Sequence, residues 1–306
     1  MTGSPDPLAR FSPLTREWFT GTFPAPTAAQ AQAWESIADG ENTLVIAPTG
    51  SGKTLAAFLW AIDALSVQPI PAPGEPRTRV LYISPLKALA VDVERNLRTP
   101  LAGIARTAAR YGLPAPEITV GVRSGDTPPQ RRRELITRPP DILITTPESL
   151  FLMLTSAARA TLAGVTTVIV DEVHAVAGTK RGSHLALSLE RLDAMLAHPA
   201  QRIGLSATVR PIEEVARFLA GGRDVSIVQP PSEKRWDLSV VVPVPDLGAL
   251  GEVTDDLSGP AAGDPRRTSI WPHVEEKIVD LIAAHRSTLV FANSRRLAER
   301  LTARLN

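Results

Sequence analysis

The chain has 306 residues, a formal net charge of +1, 43% apolar and 21% charged residues, and no cysteine. This is an ordinary globular composition with room for one large domain or two modest ones, and it excludes disulfides, thiolate zinc sites and cysteine-held iron–sulfur clusters. Near-neutral charge means that any grip on a polyanion must come from local patches and backbone amides, not from bulk charge. Residues 1–12 have no apolar core of signal-peptide length, and no apolar run approaches the roughly 20 residues of a membrane span. The expectation is a cytoplasmic protein without membrane contact.

Residues 1–26 are rich in proline, serine and threonine and read as an irregular arm. Thr27 is placed to cap a helix reaching residue 38, with Gly40 as its stop. Residues 43–47 form a short β-branched strand, followed by a glycine-rich turn and a helix over 52–65. A proline-rich connector over 66–78 leads to a strand at 79–84 and helical periodicity over 86–101. Further strands are predicted at 118–122, 141–145, 167–170, 202–205 and 225–228. Helices are predicted between and after them at 128–136, 148–154, 183–198 and 212–219. Continuously apolar strands alternating with helices predict an α/β fold, a parallel sheet covered on both faces. In such sheets ligands bind beyond the carboxyl ends of the strands, and every motif described below lies at such an end.

The texture changes at residue 229. Residues 238–244 read as one more strand, placed at an edge by Pro243 and Pro245. Residues 246–270 are rich in glycine, aspartate and proline and read as a linker. A helix at 274–285, a strand at 287–291 and a helix at 294–305 follow. One strand with two helices cannot bury a core, so this stretch reads as the incomplete start of a second domain. The strand at 287–291 is expected to expose its apolar face and edge, and protease to cut between about residues 248 and 272. The expected organisation is an arm over 1–26, a nucleotide-binding domain over 27–228, an edge strand and linker over 229–272, and the second-domain start over 273–306.

The sequence APTGSGKT at residues 47–54 fits the phosphate-loop pattern with alanine in place of its first glycine. Glycines there let backbone N–H groups turn inward around a β-phosphate, and the following helix offers its positive end. Thr49, Gly50, Ser51, Gly52, Lys53 and Thr54 are therefore the candidate nucleotide contacts, with Lys53 reaching the β- and γ-phosphates and Thr54 ligating Mg²⁺. The strand at 167–170 runs into Asp171 and Glu172. An ATPase with such a loop needs one acid to hold the metal and a second group to activate water; Asp171 suits the first role and Glu172 the second. His174 follows. A lone histidine is more often structural, but its place in this run points to a relay. Ser206 and Thr208 end another apolar strand and by themselves are only capping residues.

Together these residues resemble superfamily 2 helicases of the DExH type. Residues 47–54 are similar to motif I, SPLKALA (84–90) to motif Ia, TTPESL (145–150) to motif Ib, DEVH (171–174) to motif II, SAT (206–208) to motif III and LVFANSR (289–295) to motif IV. PTAAQ (26–30) is similar to the Q-motif, which implies that Gln30 reads adenine. Within the superfamily the chain resembles the large helicase-related (Lhr) family through DEVHAVAGTKRGSHLALSLERL (171–192), RSGDTPPQRRR (123–133) and SIWPHVEEKI (269–278). That resemblance implies a RecA-like fold followed by the start of a second RecA-like domain. It implies an ATP-dependent DNA helicase moving 3′-to-5′ on single-stranded DNA, with links to DNA repair and with ATP and Mg²⁺ as cofactors. It also implies that His174 couples the γ-phosphate to Ser206 and Thr208, and that Pro85, Lys87, Arg123 and Thr146 lie against the strand's phosphates. Motifs V and VI, with their arginine finger, are expected beyond residue 306, so turnover by this chain alone is expected to be poor.

Phosphate contacts through hydroxyls, amides and helix ends hold a backbone without reading bases, which suits a motor that steps along any sequence. Residues 131–133, three arginines, are a weaker signal of the same kind. Trp34 and Trp60 lie on apolar-patterned helices and are expected in the core, whereas Trp236 and Trp271 flank the linker. An RNA helicase, or RNA or a DNA–RNA hybrid as the track, remains open, because the choice rests on contacts around the 2′-OH. A nucleotide-controlled single-strand clamp without catalysis is the alternative from another class; the intact Lys53, Thr54, Asp171 and Glu172 argue against it.

Overall fold

Runs of β-branched and aliphatic residues form short strands that are apolar throughout because helices cover both of their sides. The computed structural model describes residues 6–72, 74–231, 237–244 and 270–305. Its first unit, residues 1–233, is built on seven strands: β1 (Thr43–Ile46), β2 (Val80–Ile83), β3 (Val120–Arg123), β4 (Ile142–Thr145), β5 (Thr167–Val170), β6 (Gln201–Ser206) and β7 (Ser226–Val228). They form one sheet in the order β3-β4-β2-β5-β6-β1-β7, and every pairing is parallel. The predicted α/β class and parallel sheet are what the structure has.

Period-2 alternation sends successive strand residues to opposite faces. Tyr82, Ile144, Ile169, Ile203 and Leu205 pack on one face with α1 (Pro13–Thr22), α2 (Ala28–Ala38), α3 (Lys53–Val67) and α4 (Lys87–Arg110). Leu44, Leu81, Leu143, Val168 and Val170 pack on the other with α6 (Pro147–Leu154), α7 (Val173–Val176), α8 (Lys180–Asp193) and α9 (Ile212–Ala220). Helix α5 (Pro129–Thr137) follows the edge strand β3. Trp34 is fully buried and donates to Ala56 O at 3.0 Å, and Trp60 packs against the same core, as expected of both.

Two expectations about this unit are corrected. The stretch expected to be an irregular arm contains α1, capped by Ser12 with Pro13 at the first helical position; Leu8, Phe11, Trp18 and Phe19 are buried in the core. Phe11 and Phe19 pack edge-on against Trp34, with ring centres 4.8 and 5.5 Å away, and burial of these apolar side chains favours the ordered segment. Helix α4 runs nine residues past its predicted end and contains Pro100. Proline loses one intrahelical hydrogen bond, but Val93, Leu97, Ile104 and Ala108 are buried on both sides of it, and that packing carries the helix through.

In the second unit, residues 234–306, the described residues form α10 (Trp271–Ala284) and α11 (Arg295–Leu305). Arg304 Nη1 lies 2.6 Å from Glu275 Oε1, and the Arg300 guanidinium sits 5.1 Å from the Trp271 ring centre. Neither 238–244 nor 287–291 is a strand, contrary to expectation; a strand exists only through a hydrogen-bonded neighbour, and among the described residues neither segment pairs with one. Apart from the buried Val244, their large apolar side chains are exposed, Val240 at 99% and Phe291 at 90%, which agrees with the exposure predicted for 287–291. The predicted linker lies outside the described residues except for Ile270, as does Trp236. Among the described residues no helix is long and apolar enough to cross a membrane.

Candidate active site

The loop between β1 and α3 turns on two glycines, Gly50 and Gly52, with φ of 85° and 81°, a region open to glycine at little cost. At Gly52 a Cβ would also lie 2.5 Å from Gln30 Nε2, so the missing side chain lets the first turn of α2 lie against the loop. Thr27 and Gln30 form a capping box at that turn, Thr27 Oγ1 donates to Ser51 O at 2.8 Å and Gln30 Nε2 to Gly52 O at 3.4 Å. Lys53 is buried, and its Nζ donates to Ala47 O and, at 3.1 Å, to Pro48 O. Burial pulls its pKa down, against the charges of Glu172 and Asp171. Ser51 Oγ is buried without a partner. Thr49 is exposed and Thr54 half-buried.

Strand β6 lies between β1 and β5, so the ends carrying the loop and the two acids are one strand apart. Asp171 is buried at the end of β5; its Oδ2 accepts from the Tyr82 hydroxyl and its Oδ1 from Glu172 N at 2.9 Å. Burial raises its pKa, and the Tyr82 hydrogen bond works against that rise. Glu172 adopts the left-handed conformation, φ 46° and ψ 45°, alone among the described non-glycine residues. That geometry costs about 1–2 kcal/mol and swings the chain from β5 into α7. Glu172 Oε2 lies 3.2 Å from His174 Nε2. Ala207 N donates to His174 Nδ1 at 3.2 Å; an amide can only donate, so Nδ1 is the acceptor and the neutral ring carries its proton on Nε2, directed at Glu172. Ser206 Oγ lies 3.2 Å from the same Nδ1, and Ser206 O accepts from Ala47 N at 3.2 Å. A continuous line thus runs from the loop through Ser206 and His174 to Glu172. Thr208 is exposed beside it.

The four residues expected near nucleic acid lie past or at the ends of β2, β3 and β4, the other side of the sheet from β1. Pro85 is buried; Lys87 is exposed and paired with exposed Asp126 at 2.7 Å. Thr146 is 2% exposed and its hydroxyl caps α6, accepting from Ser149 N. Arg123 is 8% exposed, and its Nη1 is buried with no hydrogen-bond partner; burial, then the charge of Arg132, lowers its pKa. Of the three consecutive arginines, Arg131 pairs with Glu134 on its own helix and Arg132 donates to Gly125 O at 2.7 Å. An open cavity of about 1030 Å³ between the 70–77 connector, β3 and α5 lies away from the phosphate loop and both acids.

Two participants escaped the sequence reading. Tyr82 looked like one more apolar strand residue, and its bond to Asp171 exists only because β2 pairs with β5. Arg181, on α8, holds Glu148 with its guanidinium fork and donates to Pro85 O at 2.5 Å. That fork lowers the pKa of Glu148 and ties the helix after the DEVH run to the ends of both β2 and β4.

A parallel three-layer α/β sheet with a phosphate loop on β1 and paired acids on β5 defines the RecA-like nucleotide-binding class. Residues 27–216 match the DEAD/DEAH box helicase family, and the chain belongs to it. Over 305 residues it is 70% identical to a Lhr helicase/probable uracil glycosylase of Mycolicibacterium smegmatis, covering 100% of this chain and 19% of that protein. It is 55% identical to the Lhr helicase/uracil glycosylase of Escherichia coli, covering 100% of this chain and 20% of that protein. The solved structure of Mycobacterium smegmatis helicase Lhr bound to single-stranded DNA and AMP-PNP superposes with a TM-score of 0.81 at 69% identity, over 98% of this chain and 36% of that one. The helicase MrfA, at 21% identity and a TM-score of 0.73, shares the fold. The resemblance read from the motifs is therefore what the comparisons show, and the chain spans about a fifth of the two curated relatives' length.

Proposed function

We propose that this chain binds Mg·ATP and single-stranded DNA as the nucleotide-binding part of a longer ATP-dependent helicase, one that moves 3′-to-5′ and serves DNA repair in the cytoplasm. One observation carries the reading: the phosphate loop, Ser206, His174 and Glu172 meet at the ends of β1, β6 and β5 in one hydrogen-bonded line. The similar structure bound to single-stranded DNA and AMP-PNP supports both ligands. Direction and repair role rest on the resemblance to the Lhr family.

The residues fit such a ligand. An ammonium curled onto loop carbonyls, an unspent Ser51 hydroxyl and two positive-φ glycines are what an anion-holding loop supplies. Bound Mg·ATP supplies the phosphoanhydride and a countercharge for the charge that develops on it. The chain supplies the rest. Loop amides and Lys53 would hold phosphate oxygens, while Thr54 and Asp171 would hold the metal. Glu172 uses the carboxylate oxygen that His174 leaves free to orient water and take its proton. His174 and Ser206, with Thr208 beside them, report the state of Glu172 to the end of β6. Gln30 already bonds Thr27 N through Oε1 and Gly52 O through Nε2, which leaves one N–H and one lone pair of its amide for an adenine contact. On the neighbouring strand ends, the orphaned Arg123 guanidinium fits a phosphate, with Lys87, the Pro85 turn and the Thr146-capped end of α6 beside it.

The test is ATP turnover by this chain with single-stranded DNA, with RNA and with neither, against Lys53→Ala and Glu172→Gln. The expected result is measurable ATP binding, slow turnover stimulated more by DNA than by RNA, loss of binding in Lys53→Ala, and retained binding without turnover in Glu172→Gln. Turnover that survives both substitutions overturns the site. Nucleotide binding with no turnover in the parent, with or without nucleic acid, would favour a clamp without catalysis, and stronger stimulation by RNA would reassign the track.

A further inference from the structure

We infer that Tyr82 is a positioning residue for the metal carboxylate: its buried hydroxyl, anchored to the phosphate-loop helix, fixes Asp171 in the orientation that Mg²⁺-dependent nucleotide binding requires. The inference rests on Asp171 being the metal-holding acid.

Tyr82 is fully buried in β2, and its only polar atom donates to Asp171 Oδ2. A phenol hydroxyl in an apolar core needs a partner, and the β2–β5 pairing decides which one it finds. Tyr82 lies opposite Ile169 and Ile83 opposite Val170, and Asp171 N donates to Ile83 O at 2.9 Å, so the ladder continues to the acid itself. Alternation puts Tyr82 and Asp171 on the same face, and the phenol reaches forward along it.

That face is the one covered by α3, the helix that the phosphate loop opens. The Tyr82 ring stacks on Phe58 of α3, with centroids 4.8 Å apart and planes 25° apart. Phe58 is also buried, so neither ring is free to turn. The Asp171 carboxylate is therefore held at both oxygens, by Tyr82 from the α3 side and by Glu172 N from its own backbone. The hydroxyl connects the loop's helix to the acid across two elements, although no phosphate or metal is touched by Tyr82. Donors behind a metal-holding carboxylate fix its orientation, and their removal costs about 10- to 100-fold in metal affinity.

Tyr82→Phe removes only the hydroxyl and keeps the stacked ring. The measurement is affinity for a fluorescent non-hydrolysable ATP analogue in this chain, with Mg²⁺ and with EDTA, in the parent, Tyr82→Phe and Asp171→Asn. The expected result is that Tyr82→Phe loses about tenfold of the Mg²⁺-dependent gain and leaves metal-free affinity unchanged, while Asp171→Asn loses more of that gain. An unchanged Mg²⁺ dependence in Tyr82→Phe beside a lost one in Asp171→Asn overturns the role of Tyr82 alone. Equal weakening of Tyr82→Phe with and without Mg²⁺ also overturns it, because that is a packing effect. Unchanged Mg²⁺ dependence in Asp171→Asn instead overturns the metal assignment on which the inference stands.

Discussion

Gly50 and Gly52 have nearly the same backbone conformation, yet only at Gly52 would a side chain meet a neighbour. This contrast separates two uses of glycine. Gly50→Ala is expected to cost about 1–2 kcal/mol through the left-handed conformation alone. Gly52→Ala carries the same strain and in addition drives its methyl into the Gln30 amide, unfastening α2 from the loop. Thermal unfolding and nucleotide titration of the two variants check this: Gly52→Ala is expected to be the less stable and the weaker binder. Equal losses would mean that Gln30 is not held where the structure has it.

At the scale of elements, the strand ends opposite the site are tied together by Asp141, which is 1% exposed at the entry to β4. It accepts from Arg77 at 3.0 Å, from Arg79 at 3.3 Å, and from Thr119 N and Oγ1 at 2.9 and 2.7 Å. Burial alone would raise its pKa, but the Arg77 and Thr119 hydrogen bonds outweigh burial and hold it below the ordinary aspartate value. A carboxylate with a lowered folded-state pKa stabilises the protein fully above its unfolded pKa, and that contribution disappears as pH falls through the folded value. Asp141→Asn, which leaves Arg79 poorly paired in the interior, is expected to cost about 3 kcal/mol at pH 7. The deficit relative to the parent is expected to shrink below about pH 4, as the parent's own carboxylate is protonated. Denaturant midpoints at pH 7 and in acid measure both; a deficit independent of pH would contradict the assigned charge.

At the scale of the molecule, stability is unevenly distributed. The first unit contains both core clusters. Among the described residues of the second, only Val244 and Leu301 are buried, while Leu238, Val240, Leu289 and Phe291 are exposed. A chain cut to residues 1–233 is therefore expected to unfold cooperatively at the same temperature as the whole, within about 2 °C, and to bind less of a dye that reports exposed apolar surface. A large fall in midpoint would show that the second unit contributes more burial than its described residues display.

The residue string by itself determined the strand-and-helix alternation, the parallel sheet, the phosphate loop, the two acids and the family, because each follows from local chemistry: apolar period, glycine spacing, a charged pair at a strand end. It also contained a signal for α1 in Ser12 and Pro13 ahead of an apolar run, masked by the proline-rich composition around it. What only the tertiary structure decided is everything that depends on which strands are neighbours. Tyr82 reaches Asp171 because β2 lies beside β5, His174 is given its tautomer by Ala207 because β6 lies beside β5, and Arg181 finds Pro85 and Glu148 across 96 and 33 positions of chain. α4 outran its proline and 287–291 formed no strand for the same physical reason. A hydrogen-bonding or apolar surface is satisfied by whatever the fold sets against it, and nothing in a local window of sequence says what that will be.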